Sequence, residues 1–258
     1  MKRKLILFDI DGTAYDHKNH MLRPKTIETI KKLKEAGHEL AIATGRGSFM
    51  IGKMDSVRKY VDHYIFINGL LVTSHDKVLY QKTVDIKKAQ NIIEDMRKEK
   101  IAFGVLGQNE YAMDEYLNYV VKAFTAFSLP EPIIDADYYK KYPIYQIWCF
   151  GDNDTIDTFA PKHKDFQFVS WGNFGFDVMA WGESKGKGLD ILLHHLDMKK
   201  EDVIAIGDSD NDVEMIQKAG IGIAMGNGSE ALKKVSDYIT DDVSEDGFYK
   251  AFQHFNLI

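Results

Sequence analysis

One cysteine in 258 residues leaves Cys149 with no partner in its own chain, so a disulfide scaffold is excluded. It sits in the apolar run IYQIWCFG, where a buried structural thiol is expected rather than a reactive one. No apolar run approaches the ~20 residues of a membrane span. The basic start MKRK leads into an apolar stretch that stops at Asp9, and no small-residue cleavage site follows, so a secretory leader is not expected. An excess of basic charge is also lacking: 33 Lys and Arg face 39 Asp and Glu, a net charge of −6. No Lys/Arg cluster is long enough to track a phosphate backbone, which argues against a nucleic-acid partner. The expectation is a soluble cytoplasmic protein, a monomer or weak homodimer, that acts on a small molecule.

With 45% apolar and 28% charged residues, the chain has ordinary globular composition. At this length roughly three quarters of the unfolded surface can be buried, so no staple is needed. Five short runs are apolar at nearly every position: LILF (5–8), LAIA (40–43), YIFI (64–67), VIAI (203–206) and IGIA (221–224). Such runs suit strands covered on both faces. Helical patterns lie between them. In PKTIETIKKLKEAG, Pro24 suits a first turn, Ile27, Ile30 and Leu33 share a face, and Gly37 suits a C-terminal cap. KGLDILLHHL puts Leu189, Leu192, Leu193 and Leu196 on one stripe, and Gly220 closes the helix of NDVEMIQKAG. This alternation predicts an α/β fold with a doubly wound parallel sheet.

The middle third reads as α+β, with helices over about 85–99 and 114–127 among alternating segments such as YQIWCF and FGFDVM. A cap domain at 83–183 is expected to be inserted into a core formed by 1–82 and 184–258, the chain returning through GESKGKG.

Polar residues follow the apolar runs at once. LILF leads to Asp9, Asp11, Gly12 and Thr13; LAIA to Thr44, Gly45 and Arg46; YIFI to Asn68 and Gly69; VIAI to Gly207, Asp208, Asn211 and Asp212. Each cluster alone reads as turn and N-cap chemistry. Together they place carboxylates, hydroxyls and an arginine at the carboxyl ends of parallel strands, where open α/β sheets bind ligands. Gathered carboxylates repel one another, and a divalent cation resolves the conflict. An all-oxygen ligand set drawn from Asp9, Asp11, Asp208 and Asp212 favours Mg²⁺, with Asp11 able to offer its backbone carbonyl.

These residues carry a resemblance. LILFDIDGT, IATGR, the Lys185 of ESKGKGL and IGDSDND resemble, in order and spacing, the four motifs of the haloacid dehalogenase-like superfamily, and ATGR, NG, SKG and GDxxNDxxM resemble its Cof-type phosphatase branch. The resemblance implies a Rossmann-like core with a cap, and a Mg²⁺-dependent phosphatase working on a small phosphorylated metabolite. It implies Asp9 as the nucleophile that forms an aspartyl phosphate, Asp11 as general acid and base, and Lys185 as the cation offsetting Asp9 and phosphate. Lys187 is the competing candidate for that cation. Thr44, with the backbone amides near Ile10 and Gly45, would bind phosphoryl oxygens. Asp208 would contact the metal, Asn211 the phosphate, and Asp212 would orient metal waters. Arg46 contacts phosphate or pins Asp212 and the loop. Asp210 reads as an exposed charge at a helix start.

Other features carry no site. His194 and His195 point about 100° apart on a helix, and His17, His20 and His75 lack ligand spacing. AMGNGSEAL (224–232) lacks the Lys and Ser/Thr of a P-loop and reads as a loop leading to a helix begun near Ser229. Two other functions fit the same motifs: a phosphomutase using the same aspartate, and a catalytically silent phosphate-binding module.

Overall fold

The computed structural model describes residues 2–75, 77–127 and 129–258, which form two compact units. Unit 1 runs through Arg46 and resumes over Ile51–Gln81 and Ser184–Ile258; unit 2 holds Gly47–Met50 and Lys82–Glu183. Gly47–Met50, assigned to the core from sequence, groups with unit 2. Phe49 packs there on Tyr111, ring centroids 5.8 Å apart.

Unit 1 is built on eight strands: β1 (Leu5–Phe8), β2 (Glu39–Ala43), β3 (His63–Phe66), β4 (Leu71–Ser74), β5 (Lys77–Gln81), β6 (Val203–Gly207), β7 (Ile221–Ala224) and β8 (Tyr238–Ile239). Their order across the sheet is β8-β7-β6-β1-β2-β3-β4-β5. The six from β8 to β3 are parallel. The sheet is not parallel throughout, however: β4 and β5 turn back as antiparallel neighbours at one edge. A four-residue connection after β3, residues 67–70, permits this, whereas another parallel strand would need a long crossover.

β1 and β6 are buried at every residue, which is why they read as unbroken apolar runs. Leu5, Leu7, Ala41, Val203 and Ala205 face one side and pack with Leu189 and Leu192 of α2 (Lys185–Leu196) and Met215 and Ile216 of α3 (Val213–Lys218). On the other side Phe8 meets Phe248 edge-on at 5.5 Å. The helix Pro24–Glu35 starts at its proline as expected, but its buried stripe is Thr26, Thr29, Ile30 and Leu33, with Ile27 only half-buried. Burial of Thr29 is tolerated because its hydroxyl donates to the Lys25 carbonyl at 2.7 Å.

Unit 2 has a six-stranded sheet in the order Ile133–Ile134, Tyr111–Met113, Ala102–Leu106, Gln146–Phe150, Phe176–Ala180, Phe166–Ser170. All pairings are antiparallel except that of Ile133–Ile134 with Tyr111–Met113. Ala89, Ile92, Ile93 and Met96 of the helix Ile86–Glu99 pack on Phe103, Val105, Ile147, Cys149 and Val178. Gln146–Phe150 is buried on both faces, so its apparent alternation does not mark a solvent side. Cys149 is buried as expected, and burial pushes its thiol up to about 12. The next helix spans Asn118–Ala126, four residues shorter at its start than its sequence pattern suggests.

Leu192 is fully buried against the sheet. Leu192→Ala should cost about 2–5 kcal/mol, the range for a buried leucine truncation, read as a lowered urea midpoint with an unchanged slope.

Candidate active site

Four connections leave the carboxyl ends of β1, β2, β3 and β6 and carry the polar residues singled out from sequence. After β1 the chain turns at once: the Ile10 carbonyl accepts from the amides of Ala14 at 3.0 Å and Tyr15 at 2.7 Å, and the Ile10 side chain is buried. Gly12 is at φ +85°, where a Cβ would strike the Asp208 carboxylate, so the close approach of these two loops needs glycine. Thr13 Oγ1 then donates to Asp208 Oδ1 at 2.9 Å.

Lys185 is the junction. It opens α2 just after Ser184, whose hydroxyl accepts from the Lys187 amide as an N-cap. A cation in the first helical turn opposes the helix dipole, so its position is not explained by the helix. Its ammonium is 1% exposed and donates to Asp9 Oδ1 at 2.7 Å and Asp212 Oδ1 at 2.6 Å. Burial alone would lower the Lys185 pKa, but Asp212 and Asp9 outweigh it and hold the group firmly protonated. Lys187, the alternative from sequence, turns instead to the Tyr80 hydroxyl at 3.1 Å.

The other oxygen of Asp212 accepts from the amides of Asp208 and Ser209, both at 3.0 Å, in a capping box with Ser209. Oxygens of Asp9, Asp208 and Asp212 lie within 4.8 Å of one another. Burial and these like charges leave the crowd short of cations. The Asp9 pKa is pushed up to about 7 by burial against the pull of Lys185, with Asp212 and Asp11 adding to the rise. Burial, Asp9 and Asp212 likewise raise that of Asp208.

Asp11 behaves oppositely. Its carboxylate turns from the crowd and is gripped by Arg46, Nε to Oδ2 at 2.5 Å and Nη2 to Oδ1 at 2.8 Å, with His17 Nε2 at 2.7 Å and Lys53 Nζ at 3.8 Å from Oδ1. Burial would raise its pKa, yet Arg46 and His17 hold it far below the usual carboxylate range. Arg46, expected from sequence to contact phosphate or pin Asp212, therefore grips Asp11, whose two carboxylate oxygens match its bidentate fork. Any metal contact by Asp11 is left to its backbone carbonyl.

Thr44 is buried, with its Oγ1 accepting from the Arg46 amide at 3.1 Å, and Gly45 lies half-buried between them. Asn211 Oδ1 accepts from Ser209 Oγ at 2.8 Å, while its Nδ2 donates to Asn68 Oδ1 at 2.9 Å. Asp210 is exposed and accepts from Ser229 Oγ at 2.6 Å. Ser229 also caps the helix Glu230–Val235, so the preceding Gly-rich loop serves as its lead-in. His17, set aside for its lack of ligand spacing, and Lys53, which stands in no motif, are brought to Asp11 only by the fold. Thr13 and Asn68 stood inside recognised clusters, but no reading gave them a role.

The donor set of Asp9, Asp208 and Asp212 is all oxygen, contains two carboxyls pushed up by burial and by like charges, and suits a hard divalent cation. A second group, Glu39, Asp62 and His63, lies at the opposite strand ends. Its charges are already met by Arg3 and Lys34.

Lys185→Met would strand Asp9 and Asp212 in a buried site. In metal-free buffer it should cost about 3–5 kcal/mol, as for a broken buried ion pair, and adding Asp9→Asn should recover part of that loss in urea unfolding.

Residues 6–252 match the model of a haloacid dehalogenase-like hydrolase family. The 5-amino-6-(5-phospho-D-ribitylamino)uracil phosphatase YcsE of Bacillus subtilis is 27% identical over 263 residues, which cover 98% of this chain and 96% of the relative. Among solved structures, the HAD subclass IIB sugar phosphatase BT4131 superposes with a TM-score of 0.92 at 27% identity, covering 99% of this chain and 100% of that one. The phosphatase BT1666 of Bacteroides thetaiotaomicron gives 0.90 at 27% identity, covering 99% and 96%. With buried acids, lysine and strand-end loops in the order of the four motifs, the chain belongs to the haloacid dehalogenase-like hydrolases, as a phosphoric monoester hydrolase of Cof type.

Proposed function

We propose that the protein is a Mg²⁺-dependent phosphatase that hydrolyses a small phosphorylated metabolite through an aspartyl phosphate on Asp9. The observation that carries this reading is the Lys185 ammonium held between Asp9 and Asp212, with Asp208 beside them and Asp11 two residues on. Lys185 aligns one oxygen of Asp9 and leaves the other to attack phosphorus, while offsetting charge as phosphate approaches. Thr44 and the Gly45 amide, with the amide near Ile10, bind phosphoryl oxygens, and Asn211 adds an amide donor. Asp208 and Asp9 would hold Mg²⁺ beside Asp212, and the ion would supply charge neutralisation to the phosphoryl oxygens.

Asp11 moves the protons. Once released from Arg46 it takes up a proton from solvent and donates it to the leaving oxygen, and as a carboxylate it then takes a proton from the water that opens the acyl phosphate. A general acid and base is superfluous in a silent phosphate-binding module. All the residues named lie in unit 1. Sugar phosphates, nucleotides and cofactor phosphates are the substrate classes to screen, beginning with the sugar and ribityl phosphates after which two relatives are named.

Asp9→Asn should abolish release of inorganic phosphate, and wild type should form a hydroxylamine-labile phosphoryl adduct; turnover by the variant would refute covalent catalysis at Asp9. Asp11→Asn should slow turnover by about 10²–10⁴-fold.

Metal dependence follows from the carboxyl crowd. EDTA should silence the enzyme and Mg²⁺ restore it, with Asp208→Ala raising the Mg²⁺ requirement and Asp210→Ala leaving it unchanged. Below about 7 the metal-free Asp9 holds a proton that a dication must expel. Apparent Mg²⁺ affinity should therefore rise with pH through about 7, and calorimetry in buffers of different ionisation enthalpy should find proton release that fades as pH rises.

A further inference from the structure

At the end of β3 the chain makes three successive residues with positive φ: Ile67 at 52°, Asn68 at 50° and Gly69 at 97°. Asparagine and glycine accept this region, but a β-branched isoleucine there is a true outlier. Such a turn persists only where its surroundings over-determine it. The surroundings here are site loops. The Ile67 amide donates to the Arg46 carbonyl and the Asn68 amide to the Thr44 carbonyl, each at 3.1 Å. Gly69 backs onto the Ser184 carbonyl so closely that a Cβ would collide with it, and Ser184 directly precedes Lys185. The turn thus touches the loop after β2, the start of α2 and, through one side chain, the loop after β6.

That side chain is Asn68. It is buried, and its Oδ1 accepts from Asn211 Nδ2 at 2.9 Å. The Asn211 carbonyl is tied separately by Ser209 Oγ at 2.8 Å. A side-chain amide held at its oxygen and at one N–H has a fixed plane, so the direction of its second N–H is set as well.

We propose that Asn68 is a positioning residue: the left-handed turn at Ile67–Gly69 exists to bring its carbonyl to Asn211, which aims the remaining Asn211 N–H at the phosphoryl group. The inference rests on Asn211 as a phosphate ligand. Strain at Ile67 is the counterpart of that placement, since a relaxed extended residue there would carry Asn68 away from both loops.

The test reads phosphate recognition in three variants of the full chain. Asn68→Gly keeps a residue suited to φ 50° and removes the side-chain amide, its carbonyl acceptor included. It should raise the inhibition constant of inorganic phosphate and the KM for p-nitrophenyl phosphate by about three- to tenfold, with a smaller change in kcat, as for the loss of one pairwise coupling. Asn68→Ala loses the same acceptor but strains the backbone, so it should lower Tm further while raising the phosphate inhibition constant equally. In an Asn211→Ala background, Asn68→Gly should add nothing. An inhibition constant that follows Tm across the two Asn68 variants, additive losses in the double variant, or an unchanged constant in folded Asn68→Gly would each overturn the proposal. If Asn211→Ala alone left phosphate inhibition and KM at wild-type values, the phosphate-ligand reading would fail and take the proposal with it. A weakened Asn211→Ala beside an unaffected Asn68→Gly would sink the proposal alone.

Discussion

Everything at the strand-end rim depends on one ammonium. Lys185 lies almost fully out of water, at the helix end whose dipole opposes it, and it stays because Asp9 and Asp212 both contact it. Remove the lysine, and two buried carboxylates face each other with a third, Asp208, close by. Keep it, and one positive charge still falls short of three negative ones, so burial, with that imbalance added, keeps Asp9 and Asp208 pushed toward their neutral forms. The parallel sheet creates this tension, because its topology delivers β1 and β6 side by side and their loops to one edge. A dication would cancel the two negative charges that Lys185 leaves unmatched, so a phosphate dianion is best received in its company.

Asp9 and Asp11 stand two residues apart and are driven in opposite directions. Asp9 has anionic neighbours and one shared cation; Asp11 has Arg46, His17 and Lys53 around it. A single turn separates the environments, because the tight bend at Ile10 sends one side chain inward and the other toward the loop after β2. Asp11 as it stands is a firmly ionised base, so acid duty requires that it first part from the guanidinium.

Much of this could be read from residues alone. Strands such as Leu5–Phe8 and Val203–Gly207 were legible because burial on both faces forces an uninterrupted apolar run, and the acids were legible because they break those runs abruptly. Partner choice was not. Whether Arg46 meets Asp11 or Asp212 depends on how two loops lean, a tertiary fact that leaves no periodicity. Helix Pro24–Glu35 misled for a related reason: hydropathy favours Ile27, whereas Thr29 satisfies its hydroxyl against the helix backbone and can be buried in its place. Positive φ at Ile67 was invisible because β-branched residues ordinarily signal the opposite conformation.

The pairing of β1 with β6 has a consequence for synthesis. Leu5 lies beside Val203, so the central pair of the unit 1 sheet joins segments that are far apart in sequence and made at very different times. A ribosome that has produced the first half of the chain has exposed β1 with one of its two edges unoccupied, a state prone to wrong pairing and slow to resolve because the missing neighbour is so distant in sequence. Residues 82–183, by contrast, are nearly contiguous and can collapse as soon as they emerge. Lys185 and Asp212 arrive later still. Asp9 is therefore made long before Lys185 and Asp212, and the buried arrangement of one ammonium between two carboxylates can form only after β6 and the loop that follows it have been synthesised.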